Sequence, residues 1–130
     1  MKFPGFSIDL GRHGEDLARK FLENKGFKLI ERNFKTPRWG EIDLVMKDED
    51  TLVFVEVKTR SGSTARLFGG PLGSINYHKM KAIHRAAQFY LSSKNLNQEA
   101  ARLDAVSVIV SDSGAPRIEY FPNILVVGLA

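Results

Sequence analysis

Two apolar runs that read as β-strands each carry a carboxylate in their middle, and this limits the chain more than any other feature. Gly40-Glu41-Ile42-Asp43-Leu44 opens one run, and Leu52-Val53-Phe54-Val55-Glu56-Val57-Lys58 forms the next. Strand side chains alternate between faces, so Glu56 and Lys58 share a face with Phe54 while Val53, Val55 and Val57 line the other. Apolar residues on both faces mark a central strand. A charge buried there is costly unless it is paired or bound to metal. The polar break Asp48-Glu49-Asp50-Thr51 predicts a hairpin between the runs, which brings Asp43 and Glu56 to the same end of a sheet.

The rest of the chain supplies the elements around that hairpin. With 130 residues, a single domain with one core is expected, residues 1–10 forming a loose lead-in. Leu17, Ala18, Phe21 and Leu22 fall on one face of a helix that starts near Arg12 and is closed by Gly26. Residues 27–34 read as a strand, and Pro37 and Gly40 place a loop over 35–40. The glycine-rich stretch from Ser61 to Ser74 is long for a connection without structure. Asn76 offers an N-cap to a second helix with Tyr77, Met80, Ile83, Ala87, Tyr90 and Leu91 on its apolar face. Leu103 to Val110 is a β-branched strand, and Ile118 to Phe121 a last one. The expected fold is α/β, a mixed sheet flanked by helices in the order α-β-β-β-α-β-β.

Composition excludes several kinds of chemistry. There is no cysteine, which removes disulfides, thiolate zinc sites and cysteine nucleophiles. His13, His78 and His84 lack the spacing of a zinc site and read as surface residues. Asp9, Arg12 and His13 interrupt any apolar leader, and no apolar run is long enough to span a bilayer, so a cytoplasmic protein without membrane contact is expected. A net charge of +4 favours polyanionic partners, weakly.

A hard cation answers the problem of the buried acids. Asp43, Glu56 and the backbone carbonyl of Val57 could hold Mg2+, or Mn2+ in its place, with room left for waters and a phosphate oxygen. Lys58 could then set its ammonium beside the attacking water. The bland alternative is an ordinary ion pair between Glu56 and Lys58 at a strand end. Glu41 shares a strand face with Asp43 and is a rival ligand, or a solvated residue.

The residues that bear on this choice form a collinear set: Gly11, Gly14-Glu15, Arg32-Asn33, Gly40 to Asp43, Phe54 to Lys58, Lys79, Ala87 to Leu91 and Arg102-Leu103-Asp104. In this set the chain resembles the YraN-like family of small bacterial proteins, within the restriction-endonuclease-like PD-(D/E)XK superfamily and similar to archaeal Holliday junction resolvases. The resemblance covers about residues 11–110. It implies a metal-dependent endonuclease, with Asp43 and Glu56 as metal ligands, Lys58 as the catalytic lysine, and Glu15 reaching the same site from the first helix. Read from the residues alone, Glu15 is equally an acid favoured by a helix N-terminus. Two departures limit the transfer. Ile42 stands where many of these nucleases have proline, and Gln88 is followed by Ser92 where some have tyrosine.

The expected substrate is DNA, gripped by Arg38, Arg60, Arg66, Lys79, Lys81 and Arg85. No base-reading motif is present, which favours branched or otherwise structured DNA over a sequence target. Trp39 and Phe68 could stack on an unpaired base, or belong to the core or a subunit contact. Cutting at paired positions of a junction would require a symmetric homodimer. The alternatives are a nucleic-acid-binding module without turnover and a protein-interaction domain using the apolar tail Ile124 to Leu129. Asp104 is expected to play a structural or supporting part.

Overall fold

The structure is a computed structural model that describes residues 7–62, 77–111 and 114–125. Helix α1 (Ser7–Asn24) is followed by strands β1 (Lys28–Lys35), β2 (Glu41–Asp48) and β3 (Thr51–Ser61), helix α2 (Tyr77–Ser93), and strands β4 (Ala101–Val110) and β5 (Arg117–Leu125). The five strands form one sheet in the order β1-β2-β3-β4-β5, with β3 at its centre. Only β3 and β4 run parallel, joined through α2; the other neighbours are antiparallel. The α/β class and the element order match the sequence expectation. Among the described residues, no helix is long and apolar enough to cross a membrane.

Both faces of β3 are covered, as its double apolar pattern requires. On one face Val53, Val55 and Val57 pack with Ala18 and Leu22 of α1 and with Val106 and Val108 of β4. On the other, Leu52 and Phe54 pack with Ile83, Ala86, Ala87, Tyr90 and Leu91 of α2. Tyr90 receives Phe34 of β1 and Phe54 of β3 edge-on, at ring-centroid distances of 4.8 and 5.5 Å, a favoured aromatic geometry.

Each helix ends in the same way. Gly26 takes φ 100, its amide bonds the Glu23 carbonyl, and the Phe27 amide reaches back to Leu22. Asn95, at φ 58, repeats this after α2, with its amide on Ser92 and that of Leu96 on Leu91. These are Schellman closures, which need a left-handed residue and satisfy the last carbonyls. The glycine stop is legible in the sequence; asparagine, which also tolerates this conformation, is a weaker signal of the same closure.

Two elements extend further than expected. Helix α1 begins at Ser7, within the stretch expected to be a loose lead-in. Gly11 and Gly14 weaken the local helical signal, by about 1 kcal/mol each relative to alanine, but the face packed on the sheet carries the helix through them. Strand β5 continues past Phe121 because it bulges. Leu103 pairs with Leu125 while Ala105 pairs with Phe121, so β5 fits Pro122, Asn123 and Ile124 opposite Asp104 alone. Asn123 turns at φ 56 and gives its amide to Asp104 Oδ1 at 3.0 Å.

Asp104 is fully buried and fully engaged. Besides the Asn123 amide it accepts Arg102 Nε at 3.1 Å and the Tyr120 hydroxyl. Arg102 extends to Asp48 at 3.1 Å, tying the β2–β3 turn to β4. Burial, and then the bond to Asp104, push the Tyr120 phenol up to about 12, so it stays a donor. Burial alone would lower the Arg102 guanidinium, but Asp104 outweighs it and the net shift is upward. Asp104 is therefore structural. Replacing it with alanine leaves three partly covered donors without their fully buried acceptor, and removing one partner of a buried pair costs about 3–5 kcal/mol. Asp104→Ala is expected to lose that much in urea denaturation; a loss below about 1 kcal/mol would show the network to be dispensable.

Candidate metal centre

The β2–β3 ladder runs from Asp48 opposite Thr51 to Leu44 opposite Val55. One more step in that register sets Asp43 opposite Glu56, and there the backbone pairing stops. The Asp43 carboxylate takes over, accepting the Val57 N–H at 2.8 Å. The neighbouring strand twists at the same level. Ile42 packs on the α2 side and Leu44 on the α1 side, although residues two apart on a regular strand share a face. On β1, Arg32 reaches Glu15 and Asp16 of α1 while Phe34 meets Phe89 and Tyr90 of α2. Asn33 lies between them at φ 51, a conformation that asparagine tolerates better than most residues. The twist at Asn33 and Asp43 moves both out of the regular faces of the sheet.

Helix α1 brings a third carboxylate. Gly14 is buried against Thr59 of β3, and a Cβ there would fall on the Thr59 side chain, 2.8 Å from its own Cβ. Glycine permits this approach, and the next residue is Glu15. Asn33 Nδ2 donates to Glu15 Oε1 at 3.1 Å and to Glu41 Oε1 at 2.8 Å. Arg32 flanks Glu15 at 3.4 Å and Asp16 at 2.7 Å. Oxygens of Glu15, Glu41 and Asp43 lie within 4.8 Å of one another, close enough to share one cation. The donors are all carboxylate oxygens, which suits a hard divalent ion.

Crowded negative charge shows in Asp43. Burial, then the nearby Glu56 and Glu15 carboxylates, push its carboxyl up to about 8, against the opposing bond from the Val57 amide. A protonated Asp43 can donate that proton to Glu56. Glu56 is itself buried, and Lys79 of α2 pairs with it, Nζ to Oε2 3.3 Å.

The residues singled out in the sequence separate into three groups. Glu15, Glu41 and Asp43 come together, with Glu56 against Asp43. Val57, whose carbonyl is an expected ligand, touches the cluster through its N–H. Lys58 is half-exposed and forms no ion pair or hydrogen bond with the described residues. Lys79, expected to grip phosphate, is exposed and pairs with Glu56. Arg38 and Lys81 are exposed, Arg60 is half-buried at the end of β3, and Arg85 lies over the Trp39 ring at 5.5 Å. Arg66 and Phe68 lie outside the described residues, as do Asn76 and the tail beyond Leu125. No histidine belongs to the carboxylate cluster. Arg12, Asp16, Arg32 and Asn33 line a polar depression of about 390 Å³ beside Glu15.

Asn33 is the residue that sequence reasoning missed. The resemblance includes it without giving it a role. The available signal was an asparagine inside a strand run.

Proton release from Asp43 links stability to pH. Its folded-state value lies above that of an unfolded aspartate, near 3.9, so the native protein binds more protons in between. The stabilisation is complete below about pH 4 and is lost as pH rises toward 8. In EDTA, the wild type is expected to lose thermal stability over that window relative to Asp43→Asn, which cannot ionise. By pH 8 the asparagine variant should melt higher by roughly 4 °C or more, the shift produced by about 1 kcal/mol in a domain of this size. Added Mn2+ should restore the wild type and leave the variant unchanged. Parallel melting curves for the two proteins would rule out a raised Asp43.

Known proteins with related sequences share most of this chain. A UPF0102 protein of Dictyoglomus turgidum is 39% identical over 116 residues, spanning 88% of this chain and 95% of its own length. One from Desulforapulum autotrophicum is 45% identical over 114 residues, 88% of this chain and 90% of the relative. One from Geobacter sulfurreducens is 40% identical over the same number of residues, 88% of this chain and 86% of the relative. The model of the Uncharacterised protein family UPF0102 matches residues 14–108, which include Glu15, Asn33, Glu41, Asp43, Glu56 and Lys79. The chain belongs to the UPF0102 family.

Proposed function

We propose that this protein is a magnesium-dependent endonuclease of the PD-(D/E)XK type, related to the Holliday junction resolvases, that cuts phosphodiester bonds in branched or junction-like DNA in the cytoplasm. One observation carries the reading. Carboxylates from α1, β2 and β3 converge where the central ladder opens, beside a lysine, at a cost in buried charge that folding alone does not require. The α-β-β-β-α-β-β order supports the same assignment.

Bound magnesium would offset that charge, polarise the phosphate and activate a water. Asp43 sits where it can ligate from the opened ladder, and Glu15 and Glu41 from the side held by Asn33. Lys79 balances Glu56. Lys58 follows Glu56 on the same strand face, and its amine can meet the phosphate oxygens as charge builds on them. Arg38, Lys81 and Arg85 add positive charge on the loop and helix nearby. Paired incisions would call for a second copy of the site in a symmetric dimer.

A panel of four-way junction, flap, single strand and plain duplex tests the proposal. Cleavage of a branched substrate is expected in Mg2+ or Mn2+ and not in EDTA. Asp43→Asn should fall to the EDTA level while keeping its DNA affinity. Undiminished cleavage by that variant, with activity and protein co-eluting, would falsify the role given to Asp43. Salt-dependent binding without turnover by the wild type would leave a binding module, a reading favoured by the Lys79 pair that already neutralises Glu56.

A further inference from the structure

Trp39 is the chain's one tryptophan, and 37% of it is exposed. It belongs to neither buried core cluster. A single exposed aromatic is unremarkable in itself, but this one is held in place. The Thr36 N–H and hydroxyl both bond the Gly40 carbonyl, at 2.9 and 2.7 Å, and the Trp39 N–H bonds Thr36 Oγ1 at 2.9 Å. Gly40 closes the loop at φ 83. The Arg85 guanidinium lies over the ring at 5.5 Å, and both side chains are exposed. The result is a fixed aromatic surface backed by a cation.

Its position matters as much as its rigidity. Glu41 of the carboxylate cluster follows Trp39 by two residues, so their Cα atoms are at most ~7 Å apart. That is about two base-stacking rises of 3.4 Å along a strand. The loop that carries Trp39 thus runs straight into the carboxylate cluster, and a nucleotide next to a phosphate held there by a cation would pass close to that loop.

We propose that Trp39, backed by Arg85, is a stacking platform for an unpaired nucleobase beside a phosphate that a cation at the carboxylate cluster would hold. The adjacent phosphate rests on the nuclease reading; the stacking does not. Aromatic platforms accept any base because every base has a π-face, and a nearby cation adds to the grip. In a continuous duplex each base is already stacked on its neighbours and offers no free face. The site therefore selects nucleic acid with an unpaired nucleotide at the point of attack. DNA and RNA strands share this chemistry.

The lone tryptophan makes the test direct. Full-length wild type in EDTA, where no cleavage occurs, is titrated with short oligothymidylate, oligouridylate, a flapped duplex and a blunt duplex while indole fluorescence is followed. Saturable quenching is expected with the single strands and the flap, and little with the blunt duplex. The oligouridylate arm tells whether RNA is taken as well as DNA. By anisotropy of a labelled flap, Trp39→Phe should hold affinity near wild type and Trp39→Ala should weaken it about five- to 150-fold. The alanine variant should keep the wild-type salt slope, whereas Arg85→Ala should reduce that slope by about one if the guanidinium also meets a phosphate. Absent quenching, equal quenching by blunt duplex and single strand, or unchanged affinity of a folded Trp39→Ala would overturn the platform. The two proposals fail separately. Quenching by a protein that cuts nothing in Mg2+ or Mn2+ leaves the platform and removes the nuclease, and cleavage without quenching does the reverse.

Discussion

A carboxylate bonded to a strand amide holds the site together. At Asp43 the β2–β3 ladder ends, and the aspartate accepts the Val57 N–H that a backbone carbonyl would otherwise take. That one bond keeps an acid inside the sheet, beside a second buried acid, Glu56. It also fixes Asp43 against Glu56, so two negative charges share a poorly hydrated space, and Asp43 responds by retaining its proton more strongly than an ordinary aspartate. A sheet built for stability alone would place a β-branched residue here. The unfavourable electrostatics are local, and the apolar packing on both faces of β3 outweighs them.

The other parts of the site follow from how closely elements can approach. Gly14 lets α1 lie against Thr59 of β3, and this proximity delivers Glu15. Helix α2 contributes from the opposite face of the sheet, where Lys79 of its first turn reaches Glu56. The carboxylates thus meet at the open end of the central strands, with a helix on either side. At the hairpin end, Arg102 and Asp104 tie the turn to β4 and β5 with a closed polar network. Among the described residues, the hairpin end pairs its buried acid internally; the other end concentrates negative charge that a cation would relieve.

Much of this arrangement could be read from local pattern. Period-two alternation located β3 and its two faces, helical spacing located both helices, and the turn between the strands put Asp43 level with Glu56. What escaped was set by long-range contact or by tolerance of unusual backbone. Glycines hid the start of α1 because its stability comes from packing rather than propensity. The bulge in β5 depends on the buried oxygen of Asp104 calling for the Asn123 amide, which no pattern near residue 123 announces. Lys79 reads as a cation for phosphate, and its pairing with Glu56 has no local signal because the partner lies on another element. Asn33 carried no signal beyond being polar within a strand, because its part depends on a left-handed backbone and on two acids from different elements.

Asn33 also has nothing further to give. A side-chain amide owns two hydrogens, and here one goes to Oε1 of Glu15 and the other to Oε1 of Glu41. Each glutamate keeps a second carboxylate oxygen that this amide does not occupy. Spontaneous deamidation at this position would exchange two donors for another anion, and the two glutamates would lose the clip that joins them while gaining a neighbour that repels both. Chemical ageing of a single amide would thus dismantle the site without touching any of the acids that compose it.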